Sequence, residues 1–294
     1  IPSTLGAADG WKDGISPYGY AGALATTGAA PDVLARLLAP FHHVAADHGL
    51  VSAFLRLHPL RGIPASAFEA IGTVVRHEPI VYIDLSKSHD ELAAETRSNH
   101  RRNIAKLRRS GFVAEMDQWS EYAAFQQAYR MTMQRQAASE FYFFSGDYFE
   151  DLRSLLGDRL HLCTVRSPEG NVVAAGVFTT VDGLVEYHLG GTVDEYLSLA
   201  PSKLMFDFVR DWAKARGDAI LNLGGGIGAS AGPLLHFKAG FSSSRADFHT
   251  CRVIVKAERY AQLEQPRLAA VATSHDITGD SSPARDFFPA YRAP

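Results

Sequence analysis

A glycine-rich stretch that ends in a lysine is the clearest candidate for chemistry in this sequence. The segment Ala219–Phe241 reads AILNLGGGIGASAGPLLHFKAGF, with four glycines close together and a lysine at position 238. Glycines permit positive φ angles and let another body approach the main chain closely. A cation one helical turn beyond such a loop suits an anion or a developing oxyanion. The stretch predicts a strand, a loop and a short helix carrying Lys238; a plain strand-to-helix turn is the alternative.

The same glycines invite a nucleotide-binding interpretation, which the surrounding sequence disfavours. The run Gly226–Ala231 fits the pattern G-x-G-x-x-A, and Asp247 follows about 20 residues later. A dinucleotide site needs a βαβαβ unit downstream, whereas only one short helix and one strand are expected here. The sequence contains no Gly-Lys-Ser/Thr motif and no HExxH motif, so a Walker P-loop and a metal centre of that kind are not expected.

Composition sets the broad class. With 294 residues, 46% of them hydrophobic, the chain can form one large or two ordinary globular domains. Its formal net charge of −3 gives no overall attraction to nucleic acid, so contact with a polyanion needs a local basic patch. Cys163 and Cys251 lie far apart without a CxxC motif, which favours a reducing compartment, and the cytoplasm is expected.

The termini and apolar runs give two further expectations. The longest apolar run, Val172–Val181, is shorter than the ~20 residues that a membrane span requires, so we expect no span. The sequence begins at Ile1 without Met and without the pattern of a signal peptide. We therefore expect either a removed start or a longer polypeptide.

A predicted helix supplies the local basic patch. Ser88 and Glu91 form the S-x-x-E pattern of a capping box, which predicts a long helix from about His89 to Arg109. Its apolar side gathers Leu92, Thr96, Ile104 and Leu107. No acid lies between Thr96 and Ala114, and the other side of the helix carries six cations in that stretch: Arg97, Arg101, Arg102, Lys106, Arg108 and Arg109. Such a surface is a candidate contact for a phosphate backbone, and a solvated charged face is the alternative.

The remaining elements predict a mixed α/β fold. Leu160–Leu189 reads as an antiparallel meander whose second turn is Asp182-Gly183, and Ser202–Arg216 is an amphipathic helix closed by Gly217. The glycine-rich stretch and a strand at Phe248–Val255 follow. This order of elements suits a mixed sheet with helices on its faces.

Seven segments in a fixed order resemble those of FemAB-like proteins, which belong to the GNAT acyltransferase superfamily. They are SPYGYAG, RSNHRRNIAKLRRSG, FYFFSGDYF, EYHLGGT, APSKLMFDFVRDWAKARG, LNLGGG and HFKAGF, and they run from about Ser16 to Leu263. The resemblance implies two GNAT-like lobes, each a mixed sheet flanked by helices. We expect the lobes at Ile1–Leu156 and Gly157–Leu263, with the first lobe N-terminally incomplete and a tail at 264–294.

The resemblance also implies an activity. FemAB-like proteins pass an aminoacyl group from aminoacyl-tRNA to an amine and form a peptide bond without a cofactor. Phe237-Lys238, followed by Gly240-Phe241, matches the FKxxF segment of the family, so Lys238 is expected to stabilise the transition state. The residues expected to contact substrate are Tyr18, Tyr20, Arg56, His58, Tyr187, His188, Lys203, Gly225, Gly226 and Phe237. Those expected to bind tRNA are Arg97, Arg101, Arg102 and Lys106.

Three functions stay open at this stage. The first is aminoacyl-tRNA-dependent transfer to a cell-wall precursor, a peptide or a small amine in antibiotic biosynthesis. The second is an acyl-CoA-dependent N-acyltransferase, which the segment Val193–Lys203 disfavours because it holds two acids and no glycine where such enzymes bind pyrophosphate. The third is a non-catalytic binding domain of a larger protein. No general base is identified; His188 is a candidate, and a structural histidine is the alternative.

Overall fold

The computed structural model describes residues 10–24, 30–226, 232–273 and 287–292. The chain forms two compact units, one of residues 1–77 with 247–294 and the other of residues 78–246. The lobe boundary expected at Gly157 falls inside the second unit. Val113–Met116, which precedes that residue, pairs with Leu160–Arg166, which follows it, so the two stretches share one sheet.

The described residues contain both strands and helices. The strands are β1 (Lys12–Ile15), β2 (Leu50–Arg56), β3 (Thr73–Asp84), β4 (Val113–Met116), β5 (Leu160–Arg166), β6 (Val172–Val181), β7 (Leu184–Thr192), β8 (Ile220–Gly224) and β9 (Arg245–Ile254). The helices are α1 (Pro31–Leu38), α2 (Phe41–Asp47), α3 (His89–Glu95), α4 (Ser98–Arg109), α5 (Tyr122–Arg135), α6 (Gly146–Leu156), α7 (Ser202–Arg216), α8 (Pro233–Lys238) and α9 (Ala257–Thr273). The mixed α/β fold predicted from the sequence is confirmed.

The first unit contains the strand order β1-β2-β9-β3. β1 and β2 are parallel, and β2 and β9 are antiparallel. One of its core clusters consists of Ala53, Leu57, Phe68, Ile71, Cys251 and Val253. Searched over the described residues of the whole chain, no helix is long and apolar enough to cross a bilayer.

The second unit contains the strand order β3-β8-β7-β6-β5-β4. The predicted meander is confirmed as β5, β6 and β7, with Asp182 and Gly183 at positive φ in its second turn. β7 and β8 are parallel, and α7 is the crossover that such a pair requires. This parallel pair lies in the middle of the unit's sheet, which is otherwise antiparallel in its strand pairings β3-β8, β7-β6, β6-β5 and β5-β4.

Apolar side chains cover both faces of this sheet. One cluster joins Val185 and Leu221 of the strands to Ile104 of α4 and Phe206 of α7. The other joins strands β5 to β7 to aromatic residues of α5 and α6, with Leu189 among its members. In β7 Tyr187 pairs with Phe178 and Leu189 with Val177, so His188 is an extra, bulged residue. Because of the bulge, the side chains of Tyr187 and Leu189 lie on opposite faces of the sheet and pack in different clusters.

The long helix predicted from His89 to Arg109 is wrong, because the structure has α3 and α4 in its place. The capping box at its start is confirmed, with Ser88 and Glu91 each bonding the other's backbone N–H. The chain leaves the helix at Thr96, whose ψ is 123°. The N–H of Arg97 then donates to Gly240 O at 2.8 Å, a long-range bond that replaces a helical one. The guanidinium of Arg101 donates to the Thr96 and Ala93 carbonyls at the end of α3.

Candidate active site

The candidate site lies where the two parallel strands of the second unit part. β7 and β8 pair from Leu184 opposite Ile220 to Glu186 opposite Asn222. β7 then continues to Thr192 and β8 to Gly224 without pairing with each other. In sheets with helices on their faces, ligands bind preferentially at the carboxyl ends of strands that diverge. The ends of β7 and β8, beyond the last pair that they form with each other, are such a place.

Helix α8 brings Lys238 to these strand ends. The residue is only 5% exposed, and its Nζ donates to Gly225 O, just after β8, at 2.8 Å. The same Nζ lies 5.6 Å from the centroid of the Tyr187 ring on β7, a cation–π contact. The ammonium group therefore bridges the two strands beyond their last pair.

Burial makes this lysine unusual. Removal from water disfavours its charged form and lowers the pKa of Lys238 to about 7. An ammonium group has three N–H donors. Among the described residues, the Gly225 carbonyl is its one hydrogen-bond acceptor. A buried cation with spare donors is suited to bind the oxygen of a ligand. An anion that develops beside Lys238 favours the protonated form of the amine.

The Tyr187 ring packs against a neighbouring aromatic ring and fills space that a glycine leaves open. It packs edge-on against Phe206 with 4.9 Å between ring centroids. A Cβ atom at Gly190 would lie 2.5 Å from Tyr187 Oη, and one at Gly191 would lie 2.1 Å from Ala128 O of α5. The glycine pair in EYHLGGT is thus required by packing, because one glycine admits the ring and the other admits the backbone of a helix.

Two titratable residues flank Tyr187 on β7. His188 lies with its Nε2 2.9 Å from Tyr148 Oη of α6, and burial lowers the pKa of His188 to about 4, so its ring is neutral. Burial raises the pKa of Glu186 to about 7. Glu186 was not among the residues singled out from the sequence. The available signal in the sequence was an acid between Val185 and Tyr187 in a predicted strand, and its burial is a property of the folded unit.

Asn222 stands opposite Glu186 on β8 and is fully buried. Its Oδ1 accepts from Gly224 N at 2.8 Å, which fixes the turn that leads to Gly225. Within the part of the chain that the structure describes, its Nδ2 has no acceptor. The side chain is therefore a further polar group beside the last strand pair.

The other expected residues of the second unit lie around this centre. Phe237 precedes Lys238 and packs against Phe206 and Phe241. Lys203 is half-buried in the first turn of α7, and burial lowers the pKa of its amine. Gly226 is half-buried after Gly225, and residues 227–231 of the fingerprint pattern lie outside the described part of the chain.

The cations expected to bind tRNA divide into two groups. Arg97 and Arg101 direct their guanidinium groups at backbone carbonyls, of His236 and of the end of α3 respectively. Arg102 and Lys106 are exposed on α4. Arg108, which the sequence placed on the same face, pairs with Asp207 at 2.7 Å.

Four expected contact residues belong to the first unit. Tyr20 packs on Phe248 with 5.2 Å between ring centroids, and Tyr18 is exposed. Arg56 donates to Ser16 O at 3.3 Å. His58 Nδ1 accepts from the N–H groups of Leu60 and Arg61, and burial, with the charge of Arg61, lowers its pKa to about 4. These contacts order the SPYGYAG segment and the turn after β2 inside that unit.

Comparison with known proteins identifies the fold. Residues 94–238 match the family model of the acetyltransferase (GNAT) domain. The structure of FemX superposes with a TM-score of 0.63 at 13% identity, covering 80% of each chain. L-PGS from Bacillus licheniformis gives 0.51 at 16% identity, covering 75% of this chain and 72% of that one.

A third similar structure is the C-terminal domain of a putative lysylphosphatidylglycerol synthetase from Agrobacterium fabrum, with a TM-score of 0.52 at 14% identity, covering 81% of this chain and 77% of that one. No curated protein sequence matches significantly. The chain has a Fem-like GNAT fold.

Replacing Lys238 with Met should stabilise the protein most at and below neutral pH. The ordinary lysine pKa is 10.5 and the folded value is about 7, so the unfolded chain binds more protons between these pH values. The stability of the wild type therefore rises with pH across that window, by about 1.4 kcal/mol per pKa unit at most. The advantage of Lys238→Met should shrink over the same range in urea unfolding.

The exposed Lys106 gives the control for this measurement, because Lys106→Met removes a solvated charge. Its unfolding midpoint should follow the wild type at every pH. A wild-type protein at least as stable as Lys238→Met at pH about 6 would contradict the desolvation of Lys238.

Proposed function

We propose that this protein, whose fold is that of GNAT acyltransferases, transfers an aminoacyl group from an aminoacyl-tRNA to an amine and forms an amide bond. The observation that carries the proposal is the buried Lys238 amine between the parting strands β7 and β8. An aminoacyl ester is already activated. Catalysis then needs chiefly a held acceptor amine and a stabilised tetrahedral oxyanion.

The reaction requires one nucleophilic attack and one bond cleavage. The acceptor nitrogen attacks the ester carbonyl carbon, and the C=O electron pair moves to oxygen, which receives a hydrogen bond from Lys238 Nζ. When the C=O bond re-forms, the bond to the ribose oxygen breaks. The acceptor nitrogen loses a proton, and the ribose oxygen gains one as the tRNA departs.

Glu186 is our choice for carrying that proton. It occupies the last paired position before β7 and β8 part, next to Tyr187. Adjacent strand residues point to opposite faces, so Glu186 lies on the other face of the sheet from the Tyr187 ring that Lys238 contacts. A carboxyl group with a pKa near 7 can accept a proton from an amine and return it to an alkoxide.

The segment 193–203 favours aminoacyl-tRNA over acyl-CoA as donor. A pyrophosphate cradle needs backbone N–H groups that point at the ligand. Here the N–H groups of Tyr196, Ala200 and Lys203 each donate to a carbonyl of the same segment at 3.0 Å. The Asp194 carboxylate pairs with Arg135 beside them. One of the similar structures is named as a lysylphosphatidylglycerol synthetase, which supports an aminoacyl group as the cargo.

The donor can be identified directly. We expect the protein to consume aminoacyl-tRNA, supplied as a mixture charged with labelled amino acids, when amine acceptors are present, and to leave acetyl-CoA intact. The measurement is release of free tRNA against formation of labelled amide. Consumption of acetyl-CoA alone would establish the acyl-CoA alternative, and consumption of neither donor with any amine would favour a binding domain.

Lys238 and Glu186 should define opposite limbs of the pH–rate profile. Lys238 must be protonated to stabilise an oxyanion, so kcat should fall as pH rises through about 7. Glu186 must be ionised to take the proton, so the rate should rise through about 7. Lys238→Ala should lower kcat by about 10²–10³-fold. Glu186→Gln should remove the acid limb.

Glu169→Gln, in an exposed turn, is the control for Glu186→Gln and should retain both limbs. Near wild-type turnover of Lys238→Ala at saturating substrates would exclude Lys238 as the stabilising group. An unchanged acid limb in Glu186→Gln would exclude Glu186 as the proton acceptor.

The exposed cations of α4 should contribute to tRNA affinity. Removing Arg102 and Lys106 together by substitution with Gln should flatten the plot of log affinity against log salt by about one unit per lost phosphate contact. Filter binding at several salt concentrations measures this slope. Arg36→Gln, in an exposed pair with Asp32 outside α4, should leave it unchanged. If the double variant and the wild type give the same salt slope, Arg102 and Lys106 are solvated charges that do not contact tRNA.

A further inference from the structure

The first turn of α4 holds the segment that carries Lys238. The N–H of Arg97 donates to Gly240 O at 2.8 Å. The Arg97 guanidinium donates to His236 O at 3.1 Å, and His100 Nε2 lies 3.1 Å from Phe237 O. These bonds reach carbonyls on both sides of Lys238. They satisfy groups that the end of a helix leaves without an intrahelical partner.

His100 is wedged into this segment. The ring is 4% exposed, with its centroid 5.5 Å from that of Phe237 and 4.8 Å from that of Phe241. A Cβ atom at Gly240 would lie 2.4 Å from His100 Nε2. Because two aromatic rings flank the imidazole, it has no room to move aside. The contact therefore requires glycine at position 240.

The ring is neutral in this setting. Burial lowers the pKa of His100, and the charges of Lys203 and Arg97 lower it further, against an opposing effect of its bond to Phe237. The backbone carbonyl of Phe237 can only accept, so the single proton of the neutral imidazole lies on Nε2. Nδ1 lies 3.0 Å from Oδ1 of the Asn99 side chain and accepts from that amide once the amide O and N are exchanged. His100 thus donates to Phe237 O without adding a second positive charge beside Lys238.

Lys238 depends on such contacts for two physical reasons. α8 has six residues, far fewer than the ~12–15 that an isolated helix needs, so tertiary contacts fix its position. Burial of an ammonium is unfavourable, so a free segment would turn the lysine toward water. Among the described residues, the Tyr187 ring lies against the ammonium group, His236 precedes Lys238 on α8, and Arg97 and His100 of α4 bond carbonyls of the same segment. None of these four side chains is a carboxylate.

We propose that Arg97 and His100 are positioning residues that hold Lys238 in its buried place between β7 and β8. They act through Phe237, His236 and Gly240 and do not touch substrate. The catalytic consequence rests on the proposed function, whereas the placement of the lysine can be tested without it.

The test is the pH dependence of Lys238 acetylation by acetic anhydride, followed by mass spectrometry of the folded protein. In the wild type, reactivity should be half-maximal near pH 7. In His100→Ala and Gly240→Ala the midpoint should move toward the ordinary value of 10.5, by about one pH unit or more. Arg97→Gln, at a half-exposed position, should give a smaller shift in the same direction.

Two variants serve as references. His100→Gln keeps an amide donor for Phe237 O and should restore part of the wild-type midpoint. Gly232→Ala lies at the other end of α8, where a Cβ atom meets nothing within 4 Å, and should leave the midpoint unchanged. Circular dichroism identifies the variants that fold. An unmoved midpoint in the folded members of His100→Ala, Gly240→Ala and Arg97→Gln would overturn the proposal.

Turnover separates this inference from the proposed function. If the wild type transfers aminoacyl groups, His100→Ala and Gly240→Ala should lower kcat about 10²-fold with little change in KM. This loss is the size expected when a catalytic group is misplaced by about 1 Å. A wild type that is inactive with every donor would refute the proposed function. The acetylation midpoints would still decide whether α4 positions Lys238.

Discussion

The cost of burying the Lys238 ammonium is the constraint on which the second unit's site depends. Within the described part of the chain, the ammonium group contacts a carbonyl and an aromatic ring. Desolvation of a cation is offset only partly by one hydrogen bond and a cation–π contact. The rest must come from packing, which the rings of Phe206, Phe237 and Phe241 supply around the same helix.

The packing around Lys238 requires glycine at several positions. Gly190 leaves room for the Tyr187 ring over which the ammonium lies, and Gly240 leaves room for the His100 ring. Gly224 takes a φ of 77°, which turns the chain so that the Gly225 carbonyl meets Lys238. Backbone strain at such a φ is small only for glycine. The glycine-rich sequence thus serves close packing around one lysine as much as access for a ligand.

Local patterns predicted the local structure. The meander follows from its turn at Asp182-Gly183, and the start of α3 follows from the capping box. The break after α3 could not be predicted, because its cause is a hydrogen bond from Arg97 to Gly240, a residue far along the chain. The burial of Glu186 is likewise a property of the folded unit that its local sequence does not show. The position of Lys238 beyond the glycine-rich loop and the FKxxF segment both pointed to this lysine, but neither indicates its burial, which is a tertiary property.

The row of cations on α4 shows what charge counting misses. Arg97, Arg101 and Arg108 look equivalent to Arg102 and Lys106 in the sequence, yet the first three bond carbonyls or an aspartate. One helix therefore carries a clamp on Lys238 at its start and exposed cations further along. A helix of 12 residues is about 18 Å long and rigid on this scale. If a phosphate backbone binds the exposed cations, α4 fixes its distance from the lysine, which would place the reacting ester by geometry alone.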